Sequence, residues 1–269
     1  MRLPDARVVL TGASGGIGLA IAEGLCAEGA RVIAVSRHRD SLESLLLSYP
    51  ESISWISADL TSASDRSKVL LAAQAIGGIN LLINAAGINR FAMIEQLDDS
   101  EINAMLAVNV GAPLCLTKSL LPLLRQAKSA MVVNVGSTYG SIAYPGYATY
   151  SASKFALRGF SEALRRELAD TSVNVLYVAP RATRTSMNSV AAQALNDALK
   201  SGVDEPQQVA AAVLRAIAND HRDLYLGWPE RFFVRLNTLL PNLVDRGLRK
   251  HLPLIRRLSQ KPAKEDLKP

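Results

Sequence analysis

Tyr150 and Lys154 stand four residues apart in a stretch with helical patterning, Tyr150-Ser151-Ala152-Ser153-Lys154. Residues at that spacing share one face of a helix, so the phenol and the ammonium can meet. A tyrosine hydroxyl with a pKa of about 10 lies roughly three units above neutrality, or about 4 kcal/mol. One ammonium about 4 Å away at an effective dielectric near 20 supplies a comparable amount. The pair is therefore a candidate for proton transfer, and the plain alternative is a surface tyrosine and lysine on an amphipathic helix. A second chemical feature is Thr11-Gly12-Ala13-Ser14-Gly15-Gly16-Ile17-Gly18, which follows the apolar run Val8-Val9-Leu10 and leads into a helical stretch. Its glycines let the backbone turn tightly and approach a ligand, while the helix start offers free N–H groups and a positive dipole end to a phosphate. Strand, glycine turn and helix in that order point to a nucleotide site rather than a simple turn.

These groups need elements to hold them. Short β-branched runs at Val8–Leu10, Val32–Val35, Ile53–Ile56, Leu81–Ile83, Met131–Val135, Val173–Val178 and Asp223–Leu226 read as strands. Helical stretches lie between them at Ile17–Glu28, Asp65–Ala75, Ser100–Leu124, Ala152–Ala169 and Pro206–Asn219. The alternation predicts an α/β fold with a doubly wound parallel sheet, and near-continuous apolar strands predict burial on both faces. The chain divides into one domain at 1–228 and a basic helical C-terminal extension at 229–269.

The glycine spacing, Gly12, Gly16 and Gly18, differs from the GxGxxG of most dinucleotide folds and resembles the TGxxxGxG turn of the short-chain dehydrogenase/reductase family. Tyr150 to Lys154 resembles its YxxxK element, and Ser137 stands thirteen residues before Tyr150, where the family keeps a serine. Asn84-Ala85-Ala86-Gly87 resembles its NNAG element, with Ala85 in place of the second Asn. Asp59-Leu60 follows the third strand, and Asn109 lies in Val108-Asn109-Val110-Gly111. The marks occur in family order between residues 7 and about 227. The resemblance implies a Rossmann-type fold and hydride exchange between a nicotinamide cofactor and a small-molecule carbonyl/alcohol pair.

The resemblance also implies roles. Tyr150 would be the general acid/base, and Ser137 would hold the reacting oxygen as charge develops. Lys154 would lower the Tyr150 pKa and bond the nicotinamide ribose. Asn109 would kink its helix and hold a water that relays protons. The implied cofactor contacts are Gly12, Ser14, Gly15, Gly16, Ile17, Gly18, Asp59, Leu60, Asn84, Ala85, Gly87, Tyr150, Lys154, Pro180, Thr183 and Thr185. Cofactor choice is read at the end of the second strand, where Ser36-Arg37 stands in place of an acidic residue. A hydroxyl and a planar guanidinium suit a 2′-phosphate, so NADP is expected. One departure is Arg181 in Pro180-Arg181-Ala182, where the family continues with glycine. Arg181 or Arg184 could bind an acidic group of the ligand, or form a salt bridge to the next loop. The rival reading is a cofactor-binding sensor or scaffold of the same fold without turnover.

Composition narrows the rest. Cys26 and Cys115 lie far apart in helical stretches, which excludes a disulfide framework and makes a reducing compartment the default. His38, His221 and His251 lack metal-ligand spacing, so no metal is expected. The N-terminal residues read straight into a strand without a signal-peptide pattern, and no run of about 18 apolar residues stands out as a membrane span. The net charge of +6 hides an asymmetry: residues 231–269 carry +7 and residues 1–230 carry −1. The body is neutral, which excludes a DNA-binding domain. The stretch Met187–Gly202 is Ala-, Asn- and Ser-rich and resembles the family's mobile substrate lid. In the tail Phe232, Leu236, Leu239, Leu240, Leu243 and Val244 recur at helical spacing among arginines, and Pro241 and Pro253 must break it into short helices. Such a stretch can lie on a membrane surface through residues 229–260, cap the substrate pocket, or pack against a second subunit. A cytoplasmic homo-oligomer (a dimer or tetramer) is expected, peripheral at the inner face of a membrane if the tail docks there.

Overall fold

A computed structural model describes residues 1–260, so the last nine residues of the 229–269 extension lie outside the described residues. Seven parallel strands form one sheet: β1 (Arg7–Thr11), β2 (Arg31–Ser36), β3 (Ile53–Ser57), β4 (Leu81–Asn84), β5 (Ala130–Val135), β6 (Val173–Ala179) and β7 (Asp223–Tyr225), in the order β3-β2-β1-β4-β5-β6-β7. Val9 pairs with Ile33 on one side and with Leu82 on the other. Successive side chains alternate between faces, and here both faces are core: Val8 and Leu10 join one apolar cluster, Val9 the other. Burial on both sides is why these strands are apolar almost throughout.

The helices are α1 (Gly16–Ala27), α2 (Glu43–Ser48), α3 (Ala63–Ala75), α4 (Asp99–Leu106), α5 (Ala112–Arg125), α6 (Ala148–Glu167), α7 (Val190–Ala198), α8 (Pro206–Ala218), α9 (Glu230–Leu239), α10 (Pro241–Arg249) and α11 (Leu252–Ser259). α1 and α8 cover one face of the sheet through Ile21, Leu25, Val213 and Ile217. α3, α5 and α6 cover the other through Val69, Leu116, Leu120 and Leu164. Local sequence sets their starts: Ser62 accepts from the Asp65 amide at α3, and Asp98 and Glu101 cap α4 reciprocally.

Two expected elements come out differently. The helix expected over 100–124 is α4 and α5 joined by a π turn at Ala107–Gly111. Pro113 has no N–H to send to the Asn109 carbonyl, so the α ladder breaks there and the Ala112 amide bonds Ala107 instead. By length and composition alone Asp99–Arg125 could cross a membrane, but Leu116, Leu120 and Leu124 are buried against the sheet and make it a layer of this domain. The stretch expected as a lid, 187–202, contains α7, whose start is capped by Ser189. The prolines divide the tail into three helices, as its sequence requires. α11 packs its Ile255 and Leu258 into a third apolar cluster with Phe91, Tyr147 and Leu195 of α7.

A buried polar chain ties strand ends together. Asn134 on β5 donates to the Ser161 hydroxyl of α6 (2.9 Å) and accepts from Asn84 of β4 (2.8 Å), and Asn84 also donates to Thr117 of α5 (3.2 Å). Asn134→Ala should orphan groups on two neighbours at about 1–3 kcal/mol each. The urea midpoint should fall accordingly, and a loss of stability below about 1 kcal/mol would mean that water replaces the chain.

Candidate active site

The connections leaving β1 and β4 diverge to opposite ends of the sheet, which opens a crevice beyond their carboxyl ends. The two chains meet there with no room to spare. Gly12 adopts φ +65°, and a Cβ on it would lie 2.7 Å from the Ala86 Cα. A Cβ on Gly18 would strike the Gly12 carbonyl. Thr11 locks the junction: its hydroxyl donates to the Ile83 carbonyl (3.3 Å) and accepts from the Ala85 and Ala86 amides (3.1 and 3.2 Å). α1 starts at Gly16 with Gly15 as its cap, and no side chain caps its first-turn amides. That is a cradle for a pyrophosphate, with unpartnered donors and the positive end of a helix.

A cavity of about 1300 Å³ opens from this cradle. Of the residues expected from sequence, Gly12, Gly15, Gly16, Ile17, Gly18, Arg37, Ala85, Gly87, Ser137, Tyr150, Lys154, Pro180, Thr183 and Thr185 line it. Six others do not, and each has partners elsewhere. The Ser36 hydroxyl is buried, donating to the His38 carbonyl (2.6 Å) and accepting from the Trp55 indole (2.9 Å). Of the Ser36-Arg37 pair, only Arg37 faces the cavity. The Asp59 carboxylate accepts from the Thr61 amide and hydroxyl, the Leu60 carbonyl accepts from Arg66, and the Ser14 carbonyl accepts from Ser41. Asn84 belongs to the buried polar chain.

Asn109, the sixth, sits immediately behind the cavity in the π turn. Its Oδ1 accepts from the Ile88 amide (2.8 Å), and its Nδ2 donates to the Ile88 carbonyl (2.9 Å) and to the Ser153 hydroxyl (3.0 Å). One lone pair on Oδ1 remains for a water. A Cβ on Gly87 would lie 3.3 Å from this oxygen and 3.5 Å from the Lys154 Nζ, so the asparagine and the lysine flank the same bare backbone.

Tyr150 and Lys154 lie on the face of α6 that meets this crevice, the lysine buried and the tyrosine half-buried. The phenol is hydrogen-bonded to Ser137, whose Oγ also accepts from the Tyr139 amide (3.1 Å). The lysine was expected to lower the phenol's pKa, but its Nζ donates to the Val135 carbonyl (3.0 Å) and lies 5.6 Å from the centre of the tyrosine ring. Burial dominates instead: it pushes Tyr150 up to about 12 against the pull of the Ser137 bond. It also pushes Lys154 down to about 8. Both groups are driven toward their neutral forms.

Two further parts complete the site, of which the first carried no sequence signal and the second answers to the pocket-capping alternative read for the tail. One is an aromatic wall, Tyr139, Tyr144 and Tyr147, with Tyr139 and Tyr144 stacked 5.3 Å apart. The other is the tail: Phe233 and Leu236 of α9 and Leu243, Val244 and Leu248 of α10 close the cavity. Arg181 resolves toward the salt-bridge alternative, reaching Asp204 (2.7 Å) and Glu230 at the start of α9 (3.4 Å). Arg184 pairs with Glu205 (2.8 Å).

The fold and the crevice define a dinucleotide-binding protein, and comparison narrows the class. The family model described as short chain dehydrogenase matches residues 6–196. A dehydrogenase/reductase SDR family protein 7-like of Anopheles gambiae is 32% identical over 237 residues, covering 81% of this chain and 74% of its own. A short-chain dehydrogenase from Burkholderia cenocepacia, solved with NADP, is 26% identical at TM-score 0.79, over 92% of this chain and 99% of that one. One from Burkholderia phymatum, solved with NAD, shares the fold at TM-score 0.81 and 22% identity, over 90% and 96%. The chain belongs to the short-chain dehydrogenase/reductase family of oxidoreductases, which bind NAD or NADP and act on small molecules.

The depressed lysine pKa has a stability consequence. Holding the ammonium at about 8 against an ordinary 10.5 costs the folded protein about 3 kcal/mol below pH 8. Lys154→Met removes that cost but takes the donor from the Val135 carbonyl, a loss of about 1–3 kcal/mol. The melting temperature of the cofactor-free protein should therefore rise at pH 7 by no more than about 5 °C. Above pH 8 the wild-type amine deprotonates in the folded state first, so wild type gains stability and the gap closes toward pH 10.5. A stability difference between variant and wild type that stays constant from pH 7 to 10.5 in calorimetry, or that moves in the variant's favour with rising pH, contradicts this.

Proposed function

We propose that this chain is an NADP(H)-dependent oxidoreductase acting on an apolar carbonyl/alcohol pair, with Tyr150 as general acid/base. The observation that carries the reading is a half-buried phenol, protonated at neutral pH and hydrogen-bonded to Ser137, in a cavity that opens from a glycine cradle. Residues 1–228 would be the dinucleotide-binding catalytic unit, and residues 229–269 an extension that closes it. The cradle of Gly12, Gly15 and Gly16 with the uncapped start of α1 fits the pyrophosphate. Arg37 supports the choice of NADP, since it is exposed on the cavity rim, with no ion pair among the described residues. Arg37 is the group that would take the 2′-phosphate, because Ser36 is engaged internally.

When bound, the cofactor supplies the hydride. The chain's residues do the rest. Ser137 orients the substrate oxygen, its own hydroxyl fixed by the Tyr139 amide. Tyr150 donates its proton to that oxygen in reduction, and its raised pKa keeps the proton available at neutral pH. Lys154, anchored on Val135, would offer its ammonium to the nicotinamide ribose and to the phenol's proton supply. Asn109 holds the Ile88 backbone, and its remaining Oδ1 lone pair would take a relay water. Thr183 and Thr185 line the cavity beyond Pro180, with Thr185 against Gly16 of the cradle, and would lie beside the carboxamide. Ile142, Tyr144, Met187 and Phe233 give the substrate end an apolar lining, which supports a lipid-like substrate. The reading extends to a cytoplasmic homo-oligomer. The exposed Leu106 and Phe155, on the contacting helices α4 and α6, support a subunit contact, and two free thiols support a reducing compartment.

Two measurements test it. NADPH oxidation against aldehydes and ketones should show turnover that Tyr150→Phe lowers at least ~100-fold while NADPH binding persists. Tight NADPH binding with no turnover on any of them, unchanged by Tyr150→Phe, would establish the sensor or scaffold reading instead. Arg37→Asp should reverse the preference from NADP to NAD by replacing a phosphate partner with repulsion and a ribose acceptor. Equal wild-type affinity for NAD and NADP removes Arg37 as the determinant.

A further inference from the structure

α9 has two working faces. Phe233 and Leu236 look into the active-site cavity. On the opposite side Arg231, Phe232 and Arg235 wall a separate cleft of about 730 Å³, whose other walls include Arg215 and His221 of the α8–β7 segment. No carboxylate lines this cleft, and none of its three guanidinium groups forms an ion pair among the described residues. Three like charges around one concavity repel unless an anion joins them. The rim is apolar where a solvated surface would be polar. Trp228 is 75% exposed with its ring 6.2 Å from Phe232, and Leu239 at the far end of α9 is 77% exposed.

We infer that this cleft takes the phosphate headgroup of an anionic phospholipid, while Trp228, Phe232 and Leu239 enter the membrane interface around it. Charge complementarity selects the occupant: unpaired arginines meet phosphate, and the aromatic and leucine side chains meet the acyl boundary where tryptophan partitions. A soluble anion would use the arginines but leave the apolar rim in water. Docked this way, α9 becomes the partition between bilayer and cavity, so an apolar substrate would enter from the lipid side beside α9 and α10. That consequence for the substrate rests on the proposed oxidoreductase reading, whereas the docking itself does not.

The test is co-sedimentation of the full chain with vesicles of phosphatidylcholine alone or mixed with phosphatidylglycerol, with NADPH affinity measured on every variant. The full chain should pellet with mixed vesicles at low salt and stay in the supernatant with phosphatidylcholine alone. R231E/R235E should weaken the partition at least ~tenfold. W228A/F232A should weaken it too while leaving the salt dependence in place. Unchanged NADPH affinity shows that each variant is folded. Vesicle binding without any turnover would keep the docking and remove the oxidoreductase reading. Three outcomes overturn the inference: stabilisation by inorganic phosphate with no vesicle binding (a soluble-anion site), a self-association that R231E/R235E abolishes with no vesicle binding (a second copy), or no response to any of these probes.

Discussion

The closeness of two backbones beyond β1 and β4 is the constraint from which the rest of this molecule follows. Gly12 has no room for a Cβ against Ala86, and Gly18 has none against the Gly12 carbonyl. Thr11 fastens the same junction from beneath with three hydrogen bonds. Because the turn is so tight, α1 starts with its amides aimed into the crevice and no side chain to satisfy them. The junction also brings the Ala85–Gly87 backbone within reach of Asn109 and Lys154. A substitution at Gly12 would therefore disturb the glycine cradle and the Asn109–Lys154 side of the crevice together, although the two belong to different strands.

Burial then decides the electrostatics of the site. In water a phenol and an alkyl ammonium have similar pKa values, near 10. Here Tyr150 stands at about 12 and Lys154 at about 8, so the ammonium has become the stronger acid of the two. Under the proposed general acid/base role, a phenol that had given up its proton would be resupplied downhill from the lysine side, next to which Asn109 sits. The simple picture of an ammonium stabilising a phenolate does not describe the free protein, because Nζ is spent on the Val135 carbonyl and both groups are desolvated. What the helix spacing did secure is the shared face: i, i+4 placed both groups in the one crevice.

Local rules made the sheet and the cradle legible. The strand runs were apolar because both faces are core, and the glycine turn could be read because its geometry tolerates no other residue. The π turn was less visible, yet Pro113, four residues after Asn109, carried the reason for it. The failures concern side chains with more than one available partner. Ser36 stood at the right strand end for a 2′-phosphate, but Trp55, nineteen residues away, captures its hydroxyl. Asn84 fell in a cofactor element, but neighbours on β5 and α5 take its amide. No periodicity within a strand reveals competition between strands.

The tail shows the same limit at larger scale and explains the one substitution that looked out of place. A glycine after Pro180 would leave the backbone bare beside the cofactor end of the site. Arg181 instead reaches outward to Asp204 and to Glu230, the first residue of α9. The extended aliphatic part of that arginine fills the space above Gly227, and its head closely approaches Gly202, positions where any added Cβ would collide with it. Asn237, further along α9, donates to the Ser141 carbonyl (3.0 Å) just after the Ser137 loop. Besides the packing of α11 on Tyr147, the tail is thus fastened by polar contacts to the Pro180 and Ser137 segments of the site. An arginine that weakens the family resemblance locally is the residue that couples this chain's own extension to its site.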